Sequence, residues 1–138
     1  VFFEPGRADV QPRAQQGFQR SGVLDALLRT GGVGGAADGL IGSGSRIGIV
    51  SFAATATADT QLITSVDTLK NAVDDLSAGW NTNHADAFTK AIQLFEPASG
   101  NAKVIVMFTD GNTTAGAPPA PVAAAARARG IIIYCIGL

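Results

Sequence analysis

Two oxygen-bearing side chains stand where a ligand could be held. Asp110 follows the apolar run Val104-Ile105-Val106-Met107-Phe108-Thr109 and precedes Gly111, so a carboxylate falls at the end of a strand. An Asp-Gly pair ordinarily turns a hairpin. Here a polar loop and a helical pattern follow instead, which favours a binding or metal role. Thr82 lies in Ala78-Gly79-Trp80-Asn81-Thr82-Asn83-His84, a polar loop ahead of a helix, where Thr or Asn also suits an N-cap. A hydroxyl at a helix start and a carboxylate at a strand end are hard ligands, suited to Mg²⁺ or Ca²⁺ rather than softer metals. With one cysteine, Cys135, and one histidine, His84, neither a thiolate cage nor a multi-histidine site can be built.

Other reactive side chains read as structural. His84 could act as a base, but no G-x-S-x-G elbow and no Cys-His pattern accompanies it, so a surface histidine of a first helical turn is expected. Trp80 is expected to cover the helix start, Cys135 to be a buried thiol in an Ile-rich strand, and Met107 to lie in the core. Arg127 and Arg129 sit near a helix end, where cations favour the negative end of the dipole.

The elements that must position these residues are legible from Arg46 onwards. Arg46–Phe52 is a short β-branched run and Thr60–Thr64 a second candidate strand beside it. Leu69, Ala72, Val73 and Leu76 fall at helical spacing within Asp67–Leu76, with Ser65 or Asp67 as N-cap. The same spacing recurs at Phe88, Ala91, Ile92 and Phe95, and Pro97 stops that helix. Lys103–Thr109 is nearly continuous in apolar residues, the pattern of a parallel strand covered on both faces. Pro119 or Pro121 suits the first turn of a helix through Arg129, Gly130 its C-terminus, and Ile131–Ile136 returns as strand. The alternation predicts an α/β fold, a Rossmann-like, doubly wound, mostly parallel sheet with helices on both faces and ligands outside the carboxyl ends of its strands.

Residues 1–42 are irregular and rich in Gly, Arg and Gln. They read as a segment foreign to the rest, disordered or non-native, with no credible central strand. Gly32, Gly34 and Ala37 satisfy a loose G-x-G-x-x-A pattern, but no strand precedes it and no acidic residue lies about 20 residues on, so the dinucleotide reading fails.

Composition closes off other classes. The 138 residues allow one domain, and 46% hydrophobic against 15% charged residues excludes wholesale disorder. A net charge of -1 lacks the basic excess of a nucleic-acid-binding surface. No apolar run approaches the roughly 20 residues that span a bilayer, so membrane insertion by this chain is not expected.

The stretches Gly42–Phe52, Asn81–Phe88 and Val104–Gly111 together resemble a von Willebrand factor type A (vWA) domain, most of all its bacterial surface members. The resemblance covers residues 43–138 as a partial domain. It implies a metal-ion-dependent adhesion site (MIDAS) at the top of the sheet, holding Mg²⁺, Mn²⁺ or Ca²⁺. A carboxylate from a protein or matrix ligand would complete the coordination, and the module would bind rather than catalyse. Thr82 matches the family's second-loop threonine and Asp110 the aspartate after its fourth strand. The implied location is extracellular or at the cell surface.

The family's Asp-x-Ser-x-Ser motif, which follows its first and central strand, is not found. The nearest string, Asp9-Val10-Gln11-Pro12-Arg13, has Gln and Arg at the serine positions, leaving Asp9 as a weak third ligand candidate. The expectation is therefore a sheet without its central strand or the family's last helix and strand, and a degenerate metal site. Two alternatives are a Mg²⁺-dependent phosphotransfer or phosphohydrolase domain with Asp110 as nucleophile, and an assembly subunit of an intracellular complex. The first lacks the further carboxylates and lysine such sites use.

Overall fold

The computed structural model describes residues 2–3, 46–77, 79–109 and 111–137. Five strands make one sheet: β1 (Phe2–Phe3), β2 (Val50–Phe52), β3 (Ala56–Ala58), β4 (Lys103–Thr109) and β5 (Ile131–Gly137), in the order β3-β2-β1-β4-β5. β2, β1, β4 and β5 run parallel, and β3 is antiparallel to β2. Three helices, α1 (Val66–Asp74), α2 (His84–Leu94) and α3 (Pro119–Ala128), complete the described elements.

The expectation that the sheet lacks its central strand is corrected. Phe2 pairs with Val50 on one side and Met107 on the other, and Phe3 with Ser51 and Phe108. Two residues are too few to show a period, which is why the sequence hid them. The remainder of residues 1–42, with Asp9 and the glycine string, lies outside the described residues.

Strand alternation and helix spacing build a core on each face. Val50, Phe52, Ile105, Met107 and Ile131 point from the sheet towards Ala87, Phe88 and Ala91 of α2 and Ala126 of α3. The opposite face places Ile49 against Leu69 and Val73 of α1. The second candidate strand moves: β3 is Ala56–Ala58, whereas within Thr60–Thr64 only Ile63 pairs, in an isolated bridge with Ile47.

The helix ends follow local chemistry. Ser65 caps α1, its Oγ accepting from the Thr68 N–H at 3.3 Å. Asn83 caps α2 in the same way, accepting from the Asp86 N–H at 3.1 Å. Pro119 opens α3, and Gly130 (φ +76°) follows it in the left-handed conformation that helix ends favour. Strand order reverses beside β1, the kind of place where α/β sheets hold ligands.

Candidate metal and ligand site at the carboxyl edge of the sheet

Three loops meet above this edge: 53–55 between β2 and β3, 79–83 before α2, and 111–118 after β4. Asn83 ties the first two together. Its N–H donates to the Ala53 carbonyl at 2.8 Å and its Nδ2 to the Ala54 carbonyl at 2.9 Å. Asp86, one turn into α2, accepts from the Ala56 N–H at 2.6 Å, which fixes the start of β3. Gly79 leaves no room for a larger residue, since a Cβ there would collide with the Cβ of Ala53. Asn81 adopts a positive φ of 68°, which Asn tolerates better than most residues.

Thr82 is buried, 8% exposed. Its N–H donates to Thr114 Oγ1 at 2.8 Å, and its carbonyl accepts from the N–H groups of Thr114 (2.9 Å) and Ala115 (3.2 Å). The cap of α2 is Asn83, so the alternative N-cap role falls to the neighbour and not to Thr82.

His84 is not the surface residue expected from its position. It is 6% exposed, and its ring lies tilted against Phe52 with centroids 5.5 Å apart. Nδ1 meets Thr113 Oγ1 at 2.7 Å and Nε2 meets Thr109 Oγ1 at 2.9 Å. The Thr109 hydroxyl also donates to the Gly111 carbonyl at 3.2 Å. The imidazole bridges the end of β4 and the loop after it, and the hydroxyls of Thr109 and Thr113 at its two nitrogens are what allow its burial.

Asp110 and Asp9 lie outside the described residues; Thr109, which precedes Asp110, is bonded to His84. Among the described residues no three His, Cys, Asp or Glu side chains gather to hold a metal. Thr113, Thr114 and Asp86 were not legible as site residues, because Asn112-Thr113-Thr114 reads as any polar loop and Asp86 as any first-turn acid.

Two more expectations are corrected. Trp80 does not cover the helix start but is 74% exposed at the apex of its loop. Cys135 is exposed, on β5 at the end of the sheet order. Met107 is buried as expected.

The sheet order and the antiparallel β3 at one end define a Rossmann-like α/β fold. The model of the von Willebrand factor type A domain matches residues 35–138, and the chain belongs to that family. No curated protein matches it. Among solved structures it is similar to proximal thread matrix protein 1 (PTMP1) from the mussel byssus in a form with a zinc-occupied MIDAS motif: TM-score 0.73, 23% identity, 99% of this chain and 36% of that one. It is also similar to BatB from Bacteroides thetaiotaomicron (0.70, 20%, 99% and 63%). A third is the vWF domain of the pilus tip protein Mfa5 from Porphyromonas gingivalis (0.65, 15%, 81% and 36%). The chain thus spans about a third of PTMP1 and less than two thirds of BatB, and at these identities the likeness is one of fold.

Proposed function

We propose that the chain is a divalent-cation-dependent adhesion or ligand-binding module of a surface or secreted protein, with a reduced metal site built on Thr82 and Asp110. The observation that supports it most is the convergence of the Thr82 loop and the loop after β4 at the carboxyl edge beside the central strand. The partner is a protein or matrix component offering a carboxylate, and Mg²⁺ or Mn²⁺ is the cation that a hydroxyl and a carboxylate suit. Zn²⁺ joins the candidates because it occupies the MIDAS motif of the mussel protein PTMP1.

The position of β1 changes where the remaining ligands are to be sought. In the family the Asp-x-Ser-x-Ser motif follows the central strand, and here the residues after Phe3 are Glu4-Pro5-Gly6-Arg7-Ala8. Glu4 stands at the aspartate position and is a better third ligand than Asp9, while Gly6 and Ala8 supply no hydroxyl. A site that keeps carboxylates and loses both serines binds its cation weakly. The loop after Asp110 carries neither a lysine nor a further carboxylate, which favours binding over phosphoryl transfer at Asp110.

Calorimetric titration of the chain with Mg²⁺, Mn²⁺ and Zn²⁺ tests the reading. Saturable binding that disappears in Asp110→Ala, with the melting temperature kept, is the expected result. Absence of binding by the unaltered, cooperatively melting chain overturns it.

A further inference from the structure

We infer that the loops at the carboxyl edge of the sheet form a binding surface for a neutral saccharide, with Trp80 as the platform on which a sugar ring stacks and Asn81, Asn112 and Thr114 as the groups that bond its hydroxyls. Trp80 is 74% exposed and is the chain's one tryptophan. Its loop is tied down on both sides of the indole. Gly79 lies close against the Ala53 Cβ, Thr82 is bonded to Thr114 through its N–H and its carbonyl, and Asn83 donates to the Ala53 and Ala54 carbonyls. An aromatic ring presented on so firmly held a loop is placed before a ligand arrives, so little freedom is lost when one stacks on it.

Composition selects the class of ligand. Loops 53–55, 79–83 and 111–118 contain no charged side chain, and apart from Trp80 they consist of Ala, Gly, Pro, Asn and Thr. Asn81, Asn112 and Thr114 are exposed, and among the described residues the side-chain amides of Asn81 and Asn112 make no hydrogen bond. An amide donates and accepts at once, as a sugar hydroxyl does, and the apolar C–H face of a pyranose matches the face of an indole. A membrane surface calls for Lys or Arg beside the tryptophan, and a protein anchor for Leu, Ile, Met or Arg neighbours that shut out water; these loops carry none of them. No cation takes part in these contacts, so the inference stands apart from the metal reading.

Because Trp80 is the lone tryptophan, its fluorescence reports on this surface directly. Cellohexaose, xylohexaose, mannohexaose and chitohexaose are the probes, each titrated into the chain in EDTA with acrylamide quenching and calorimetry as readouts. At least one is expected to shield the indole from acrylamide and to shift its emission to the blue, saturably. Calorimetric affinity for that saccharide is expected to fall about tenfold or more in Trp80→Ala, and about three- to tenfold in Asn112→Ala, the worth of one hydrogen bond. Both variants are expected to melt as the unaltered chain does, since both residues are exposed. An indole that stays open to acrylamide with all four saccharides overturns the inference, as does affinity unchanged in Trp80→Ala. Shielding that appears only when Mg²⁺ replaces EDTA overturns it too, and assigns the ligand to the cation site of the proposed function instead.

Discussion

Asp59 is the described carboxylate whose protonation is most altered by its surroundings. Partial burial pushes its pKa above the ordinary value of 3.8, while hydrogen bonds from the Ser51 hydroxyl and N–H pull against that rise. The Ser51 N–H reaches one carboxylate oxygen at 2.6 Å and the hydroxyl the other at 3.1 Å, which ties β2 to the residue just past β3. Because the folded-state pKa is raised, the folded chain holds this proton more tightly than the unfolded one. Its contribution to stability is greatest below the unfolded value and is lost as pH rises through the folded one. Asp59→Asn, which keeps an acceptor and removes the charge, is expected to flatten the pH dependence of the melting temperature just above pH 3.8, and to leave stability equal or slightly higher near neutrality. At Cys135 exposure decides reactivity, and the thiol is expected to react with a disulfide reagent in the native state without prior unfolding.

The second helix depends on its cap and on the glycine that makes room for it. Gly116 has φ +78°, and a Cβ there would run into the side chain of Asn83. Gly116→Ala combines an unfavourable backbone conformation with displacement of the α2 cap, and is expected to cost more than about 1 kcal/mol in a denaturant titration. Phe88 lies in the core between α2 and the sheet, and Phe88→Ala is expected to cost about 3–5 kcal/mol. These elements were legible in advance because their signals are long. The run Lys103–Thr109 is β4 to the residue, the spacing of Phe88, Ala91 and Ile92 lies on the buried side of α2, and Gly130 closes α3 as its position suggested. Thr82 stands in the loop ahead of α2, as its place in the sequence suggested, while Asp110 lies outside the described residues. What holds Thr82 was not, since a hydroxyl that bonds a main-chain group in another loop leaves no periodic trace. His84 was misjudged for a related reason: burial of a polar ring depends on Thr109 and Thr113, which become its neighbours only in the folded chain.

Among the described residues, large apolar side chains stand exposed along β5. Ile132, Tyr134 and Ile136 alternate along β5 on one face, with Val104 opposite Ile132, and all four are at least 41% exposed. Substituting Ile132 and Ile136 together by Thr keeps β-branching and is expected to change stability by less than about 1 kcal/mol, while reducing binding of a dye that reports exposed apolar surface. A large loss of stability would mean that this face is packed in solution.

The short β1 has a consequence for the order in which the sheet is assembled. β2 with β3, and β4 with β5, each join residues close along the chain, whereas Phe2 meets Met107 across about a hundred residues. The two ladders can therefore form early and separately, with β1 arriving last as the seam between them. A chain lacking residues 2–3 would keep both halves and lose their closure, so its folding rate, more than its helix content, should reveal the loss.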